Sequence, residues 1–376
     1  MIRWQDTLIK ERGSMKQTLA TIPVCSPSTT PREVIGIDLG DRWSRYCVLD
    51  QAGTVIEEDR VRTTPEALTA RFGQEAATRI VIEVGAHSPW VSRLLQGQGH
   101  DVVVANPRKV RLIYESDRKN DRLDARMLAR LGRVDVSLLS PVRHRSREVQ
   151  ADLALVRSRD ALVAARTQLI NSVRGMVKSM GGRLPRSTTA AFAGKVDLLI
   201  PAELKPALRP LVRCIQTLTE QIGGCDERVE QLADKKYPET RLLRQVKGVG
   251  PLIALTYVLT VEDPNRFQRS RQMGSFLGLR PRQCESGNSA PQLGISKCGN
   301  NHLRWLLVQA AHYILSRLAP DSRLRRWGLQ LAARGGKNGK RRAVVAVARK
   351  LAVLLHRLWV TGEVYEPLYG LATEAV

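Results

Sequence analysis

The sequence lacks the residue pairs that soft metals and disulfide frameworks require. Its six cysteines are scattered without a CxxC pair, and its six histidines show no HxxxH or HxH spacing. A zinc ribbon and a disulfide-stapled fold are therefore not indicated, and the cysteine usage suits a reducing, cytoplasmic compartment. Any metal bound by this chain is expected to be a hard cation held by carboxylates.

Long apolar runs are missing as well. No uninterrupted stretch is long enough to span a bilayer, and the first 32 residues lack the apolar segment of a signal peptide. We expect residues 1–32 to form a mobile extension, with Met15 as an alternative start. No GxxxxGK[ST] loop is present, so an ATP site of the P-loop type is not predicted.

Acidic residues are too few to balance the basic ones. Sixty Lys and Arg against 36 Asp and Glu give a net charge of +24. A field of that size favours a polyanionic partner, nucleic acid first and a membrane surface second. The 376 residues, 43% of them hydrophobic, predict a globular chain with two or three domains.

Residues 33–144 show the order of an α/β domain. The stretches "EVIGIDLG", "WSRYCVLD" and "TVIEEDRVRT" predict three strands of a meander. Helix and strand patterns then alternate through "PEALTARFG", "RIVIEVG", "SPWVSRLLQGQGH" and "DVVVANP". We therefore predict a mixed sheet with helices packed against it.

Residues 145–236 carry helical heptads. In the first half one apolar set recurs every seven residues: Leu155, Leu162, Leu169 and Met176. In the second half the spacing alternates between four and three: Leu211, Ile215, Leu218, Ile222, Cys225, Val229 and Leu232. This pattern favours a coiled-coil hairpin, with a plain amphipathic bundle helix as the alternative. The seam could join two subunits or fold back within one chain.

Four carboxylates form the candidate metal site. Asp38 and Glu83 follow predicted strands, and Asp121 and Asp124 lie three apart on the predicted helix of "RKNDRLDARMLARL". Ligands bind at strand ends in α/β sheets, and converging carboxylates are costly to ionise together without a cation between them. The set would suit Mg²⁺, with a pair of ions about 4 Å apart clamping a phosphodiester and the helix arginines holding phosphate around it. Alternatively, Asp38 is a turn former, Glu83 pairs with an arginine and Asp121 caps the helix.

The motifs "VIGIDLG", "VIEVGAHSPW", "VVVANPRKVR" and "RKNDRLDARMLARL" resemble the RuvC-like domain of DEDD-type insertion-sequence transposases, a group that includes the Piv-type DNA invertases. The resemblance covers nearly all of residues 33–360. It implies an RNase H/RuvC-like domain at 33–144, in which Asp38, Glu83, Asp121 and Asp124 hold Mg²⁺ or Mn²⁺. The family often has "EATG" where this chain has "EVGAHS", so the surroundings of the acid differ. A bacterial, nucleoid-associated protein is implied.

The mostly helical region at 237–362 resembles the family's C-terminal transposase domain, and residues 363–376 are expected to be a tail. "VKGVGPLIALTYVL" is similar to its helix-hairpin-helix-like start. The backbone N–H groups of Gly248 and Gly250 would face a phosphate there, although an ordinary helix–helix turn explains the pattern equally well.

The loop "RQCESGNSAPQLGISKCGNN" also resembles the family pattern, and the resemblance makes Ser286 a nucleophile. Read without the family, Ser286 is a solvated turn residue, with Ser289 and Ser296 as nearby competitors. No histidine lies close in sequence, so a Ser-His-Asp triad is not suggested. Another activator is needed, such as a metal, a distant carboxylate, or flanking arginines and Lys297.

The implied mechanism is DNA recombination through a covalent phosphoserine, in a site that could be composite between subunits of a dimer or tetramer. The resemblance further implies a structured guide (bridge) RNA. The nucleic-acid contacts expected are Arg118, Lys119, Lys247, Gly248, Gly250, Arg280, Arg282, Lys297 and Arg304. The alternatives are a RuvC-like junction nuclease that uses water, and a scaffold that binds nucleic acid without chemistry.

Overall fold

The computed structural model describes residues 33–107, 120–287, 289–291, 293–336 and 338–369. They form two compact units, which divide between His144 and Arg145. The extension predicted at residues 1–32 lies outside the described residues. None of the helices described is long and apolar enough to cross a membrane.

A five-stranded mixed sheet forms the centre of the first unit. Its strands are β1 (Val34–Asp38), β2 (Trp43–Leu49), β3 (Val55–Arg62), β4 (Arg79–Glu83) and β5 (Asp101–Ala105). The strand order is β3-β2-β1-β4-β5. The first three strands pair antiparallel, whereas β1–β4 and β4–β5 are parallel. The predicted meander and mixed sheet are confirmed, and the topology is consistent with an RNase H-like domain.

Helices cover both faces of this sheet. The helices are α1 (Pro65–Phe72), α2 (Ser88–Gly97) and α3 (Asp121–Val134). Side chains alternate across a strand, so Ile35 and Ile80 join the core beneath α1 and α2, while Val34 and Val81 join the core beneath α3. The first turn of α1 has the predicted proline, and its Thr64 cap accepts a hydrogen bond from the backbone of the helix.

The second unit begins with a long helical hairpin. Its helices are α4 (Arg147–Ser179), the short α5 (Phe192–Val196) and α6 (Lys205–Lys235). Arg159 pairs with Asp226 at 2.8 Å, and Lys236 pairs with Asp152 at 2.6 Å. These ion pairs show that α4 and α6 run antiparallel. The seam of α6 therefore folds back onto its own chain, and the supercoil of a coiled coil stays a prediction.

Three of the four residues of the heptad line predicted for α4 (Leu155, Leu162 and Leu169) are half-buried, and Met176 is exposed. Met176 is 41% exposed, whereas Val177 is 1% exposed. The buried or half-buried set also recurs every seven residues: Val156, Val163, Ile170 and Val177. The sequence of α4 thus contains two heptad lines one residue apart. The line made of valine and isoleucine faces α6. In α6 the seam is as predicted, with Ile222 and Val229 buried.

The remaining helices close one core around the open end of the hairpin. They are α7 (Thr240–Arg244), α8 (Pro251–Val261), α9 (Gln272–Phe276), α10 (Asn301–Ile314), α11 (Arg323–Ala333) and α12 (Gly339–Thr361). α8 lies at the centre, where the Tyr257 hydroxyl donates to the carbonyl of Ala352 at 2.7 Å. Val156 of α4 and Val229 of α6 belong to the same core, which anchors the hairpin.

Candidate active site

Two of the predicted acids lie side by side at one edge of the sheet. Asp38 is the last residue of β1, and Glu83 is the last residue of β4. The strands are parallel neighbours, with Ile37 opposite Ile82. Both acids are half-buried. The pairing therefore brings the backbones of Asp38 and Glu83 to the same edge.

The other two acids occupy the first turn of α3. Asp121 is the first helical residue, and Asp124 follows one turn later. The cap is Asn120, whose side chain accepts a hydrogen bond from the backbone of Arg122 at 3.0 Å. The alternative that Asp121 caps the helix is therefore wrong. Asp121 is exposed and Asp124 is half-buried.

The C-terminal end of α3 is hydrogen-bonded at the edge of the sheet where β1 and β4 begin. Arg133 donates to the carbonyl of Gln51 at 2.5 Å, and Arg79 donates to the carbonyl of Gly132 at 3.4 Å. In between, α3 crosses Gly36 so closely that an added Cβ would lie 2.1 Å from a backbone oxygen of the helix. The helix thus runs antiparallel to β1 and β4. Its first turn points to the edge where Asp38 and Glu83 lie.

The four acids share this edge without forming a closed ligand set. Among the described residues, no three Asp, Glu, His or Cys side chains are close enough to hold one metal ion. Carboxylate oxygens are the ligands that Mg²⁺ prefers, so the donor chemistry fits a hard divalent cation. None of the four acids is fully buried. Gathering them around a cation therefore requires rotation of side chains that have some access to solvent.

Two arginines of α3 pair with a carboxylate of the sheet, and the expectation that the helix arginines hold phosphate stays a prediction. Arg126 donates to Glu58 of β3 at 2.7 Å, and Arg122 approaches the same carboxylate at 2.5 Å. The Glu58 side chain is only 7% exposed. Hydrogen bonding to Arg126, and then to Arg122, lowers the pKa of Glu58 to about 2, against the opposing effect of burial. Arg118 and Lys119 lie outside the described residues.

Glu58 was missed because three acids occur together in "EEDR". The signal that could have found it is strand alternation, because side chains two apart share a face. Glu58 pairs with Cys47, and Cys47 packs against α3. The same alternation places Glu57 on the opposite face, where it accepts a hydrogen bond from Tyr46.

The serine loop is a narrow hairpin with Ser286 at its tip. Ser286 and Ser289 exchange backbone hydrogen bonds of 3.2 and 3.0 Å. Gly287 has a φ of +53°, which suits a tight turn between them. Lower down, Pro281 bridges to Ile295. The Ser286 side chain is therefore exposed on a turn closed by its own backbone.

The base of this hairpin is held by Arg304, which corrects its assignment as a nucleic-acid contact. Arg304 is 8% exposed. Its guanidinium donates to the carbonyls of Leu277 at 3.0 Å and Cys298 at 2.9 Å, and to the side chain of Asn301 at 2.7 Å. Arg304 thus links the residue that ends α9, which precedes the serine loop, to the end of that loop. A buried guanidinium that already has these carbonyl partners has no exposed N–H face to offer a phosphate.

Other predicted contacts are exposed around the hairpin. Arg280, Arg282 and Lys297 lie on its two sides and face solvent. Of the competing serines, Ser289 is exposed and Ser296 is half-buried. Since phosphate binding requires accessible cations, the three basic residues stay available for it.

The Gly-x-Gly turn lies between α7 and α8, as predicted. Gly248 has a φ of +98°, and a Cβ there would lie 2.9 Å from the ring of Tyr313. Gly250 caps α8 and has open space at its Cα. A shallow, open pocket of about 440 Å³ lies at this turn, lined by Arg244 and Lys247 among others. Small residues, positive charge and a helix N-terminus therefore coincide here.

Known families match both units of the chain. A DEDD transposase model matches residues 35–181, which include all four acids. A model of the IS116/IS110/IS902 transposase family matches residues 240–326, which include the Gly-x-Gly turn and the serine loop. The transposase of insertion sequence IS1111A from Coxiella burnetii is 31% identical over 341 residues, 89% of this chain and 91% of that protein. The chain belongs to the IS110/IS116 transposase family.

A second relative gives the same result. The transposase of insertion sequence IS1328 from Yersinia enterocolitica is 30% identical over 78% of this transposase and 87% of its own length. The resemblance to DEDD-type insertion-sequence transposases is confirmed at this level. This IS110/IS116-family transposase is an enzyme that acts on DNA, which sets aside the scaffold without chemistry.

Proposed function

We propose that this transposase cuts and rejoins DNA through a covalent phosphoserine at Ser286, with a divalent cation held by Asp38, Glu83, Asp121 and Asp124. The observation that carries the proposal is the exposed Ser286 at the tip of a closed turn, within a hairpin that bears exposed cations on both sides. A nucleophile must reach a phosphorus atom on a bulky duplex. A narrow projecting hairpin is suited to that task.

The chemical step is a phosphoryl transfer. The Ser286 oxygen bonds to the phosphorus, the bond from phosphorus to the 3′ oxygen breaks, and the 3′ oxygen leaves as a hydroxyl. The serine proton passes to a base or to water, and the leaving 3′ oxygen takes up a proton from water. The reverse reaction with a different 3′-hydroxyl reseals the strand, so the bond energy is kept and no nucleotide hydrolysis is needed.

The chain's own residues contribute position and charge. Arg280, Arg282 and Lys297 would neutralise the attacked strand, and Arg304 holds the hairpin so that Ser286 presents a fixed backbone. A cation bound by the four acids would polarise the phosphate and stabilise the charge that develops on it. The shared sheet edge supports this assignment of the acids.

Trapping of a covalent adduct tests the serine. A nicked or suicide duplex is incubated with the protein, denatured and resolved by electrophoresis. We expect an adduct with the wild type and with Ser289→Ala and Ser296→Ala, and none with Ser286→Ala. An adduct that persists in Ser286→Ala would refute the assignment.

Metal binding can be measured without activity. Calorimetric titration with Mn²⁺ should show binding that Asp38→Asn and Asp124→Asn weaken by at least tenfold. Glu66→Gln removes an exposed acid from the first turn of α1 and serves as the control. Unchanged Mn²⁺ affinity in both Asp variants would show that these two acids do not bind the cation.

The junction nuclease is the second candidate, favoured by the placement of the acids at one edge of a RuvC-like sheet. In that reaction water attacks and no protein–DNA bond forms. Product ends discriminate the two: cleavage that continues in Ser286→Ala, with no adduct in the wild type, would favour the nuclease.

A guide RNA and a dimer or tetramer complete the proposal. The net charge of +24 is compatible with holding RNA and DNA together. Sequencing of RNA that copurifies with the protein should recover a structured transcript from the element's own noncoding end. Sedimentation should give a mass of two or four chains.

A further inference from the structure

The exposed face of α10 carries a line of aromatic and polar side chains that the proposed chemistry does not use. Trp305 is 50% exposed, and Tyr313 is 40% exposed. Gln309 and His312 lie between them and are also exposed. Gln309 follows Trp305 by four residues, and His312 and Tyr313 follow Gln309 by three and four, which places all four on one side of the helix. The opposite side is buried in the core, so this line is a true surface.

Trp305 is held in place by its neighbours. The His302 ring stacks on it with a centroid distance of 6.2 Å and an interplanar angle of 27°. His302 Nδ1 in turn lies 3.2 Å from a carboxylate oxygen of Asp160 on α4. This chain of contacts fixes the indole while leaving half of it open to solvent.

A groove runs between Trp305 and α4. It is shallow and open to solvent, with a volume of about 750 Å³. The small side chain of Ala164 leaves space on the α4 side of the groove. Thr167, Gln168 and Asn171 carry hydroxyl and amide groups along the same side. An aromatic plane facing amide side chains is the arrangement that binds an unpaired base, by stacking and by hydrogen bonds to its edge.

The other end of the line meets a basic turn. Tyr313 packs against Gly248 and lines the pocket of Arg244 and Lys247. Trp305 and Tyr313 are eight residues apart, which is about 12 Å along the helix axis. Stacked bases rise about 3.4 Å each, so one strand of a few nucleotides reaches from the basic turn to the groove.

We propose that this face of α10 binds single-stranded nucleic acid, with an unpaired base stacked on Trp305 and the backbone held at Lys247. The proposal rests on the proposed function only in taking DNA or its RNA guide as the source of the strand. Hydroxyl and amide groups lie along a groove surface that is otherwise mostly apolar, and the basic turn at the other end of α10 supplies Arg244 and Lys247 in a chain of net charge +24. Both features favour a nucleic-acid strand over a protein partner.

The test is fluorescence anisotropy with labelled dT, U and duplex oligomers of equal length. Trp305→Ala should weaken single-strand binding by about 5- to 100-fold and change duplex binding less than twofold. Trp305→Phe keeps a ring and should retain most of the affinity. Tyr369→Ala removes an exposed aromatic elsewhere and should have no effect. The dT and U arms show whether DNA or RNA is the preferred strand.

Salt dependence separates stacking from charge. Lys247→Gln should reduce the slope of log affinity against log salt by about 0.7 for a single strand, whereas Trp305→Ala should lower affinity with the slope unchanged. Ser286→Ala should bind single strands as the wild type does. Loss of the adduct therefore tests the nucleophile, and loss of single-strand binding tests the stacking on Trp305.

Two results would overturn the proposal. One is single-strand affinity in Trp305→Ala that equals the wild type while circular dichroism shows an intact fold. The other is a change of sedimentation mass in Trp305→Ala without a change in strand binding, which would make this face a contact between copies of the chain.

Discussion

The guanidinium of Arg304 donates to the carbonyl oxygen of Cys298 at 2.9 Å, and so ties α10 to the end of the loop that carries Ser286. The same group donates to the carbonyl of Leu277, which ends α9 before that loop. Because its buried guanidinium holds the backbone on both sides of this loop, Arg304 is a residue that positions Ser286.

Arg304→Met is expected to slow adduct formation by at least tenfold while DNA affinity changes less than twofold. Removing the guanidinium leaves two carbonyls unpaired, which should destabilise the fold by about 2–3 kcal/mol. Adduct kinetics at varied DNA concentration and hydrogen exchange over residues 277–299 measure the two effects. Arg317→Met, at an exposed position, is the control. An Arg304→Met protein that reacts at the wild-type rate would show that the loop needs no such support.

Close packing at Gly36 predicts a second effect. In Gly36→Ala the new Cβ would lie 2.1 Å from a backbone oxygen of α3, so the helix must move away from the sheet. We expect a loss of about 3 kcal/mol or more in stability and weaker Mn²⁺ binding, because Asp121 and Asp124 move with the helix. Gly97→Ala, which has open space, should be close to neutral in chemical denaturation. Equal stability of the two variants would contradict the packing described.

Glu58 predicts a pH dependence with a definite sign. Its folded pKa of about 2 lies below its ordinary value of 4.5, so the stabilisation is fully present above pH 4.5 and is lost as the pH falls to about 2. Glu58→Gln should be less stable than the wild type by about 2 kcal/mol at pH 7, and this difference should shrink across that window. Denaturant unfolding at several pH values measures it.

The control for that series is Asp59→Asn, because Asp59 is the exposed neighbour of Glu58 in the same strand. Its difference from the wild type should stay small at every pH. A Glu58→Gln difference that stays constant from pH 7 to pH 2 would mean that Arg122 and Arg126 do not act through this carboxylate.

Much of the first unit could be predicted because local patterns and core packing agree there. Strand alternation, the Pro65 start and the Gly73 end of α1 all gave elements that the structure confirms. The position of Asp38 and Glu83 at one edge follows from parallel pairing, which a run of apolar residues before each acid already indicates.

Sequence patterns were least decisive where two local solutions were equally good. The α4 sequence contains two heptad lines one residue apart, and only the partner helix decides between Leu169 and Ile170 for the buried place. Arg304 presents the opposite difficulty. An arginine in a basic chain resembles a phosphate ligand, and its burial depends on carbonyls of a loop that precedes it in the chain.

Mass mapping of the adduct tests the central claim most directly. Trypsin cleaves after Arg282 and Lys297, which isolates the peptide "QCESGNSAPQLGISK" with all three candidate serines. After reaction with DNA and nuclease digestion, tandem mass spectrometry should place the nucleotide on Ser286. A nucleotide on Ser289, on Ser296 or on no residue of this peptide would contradict the account.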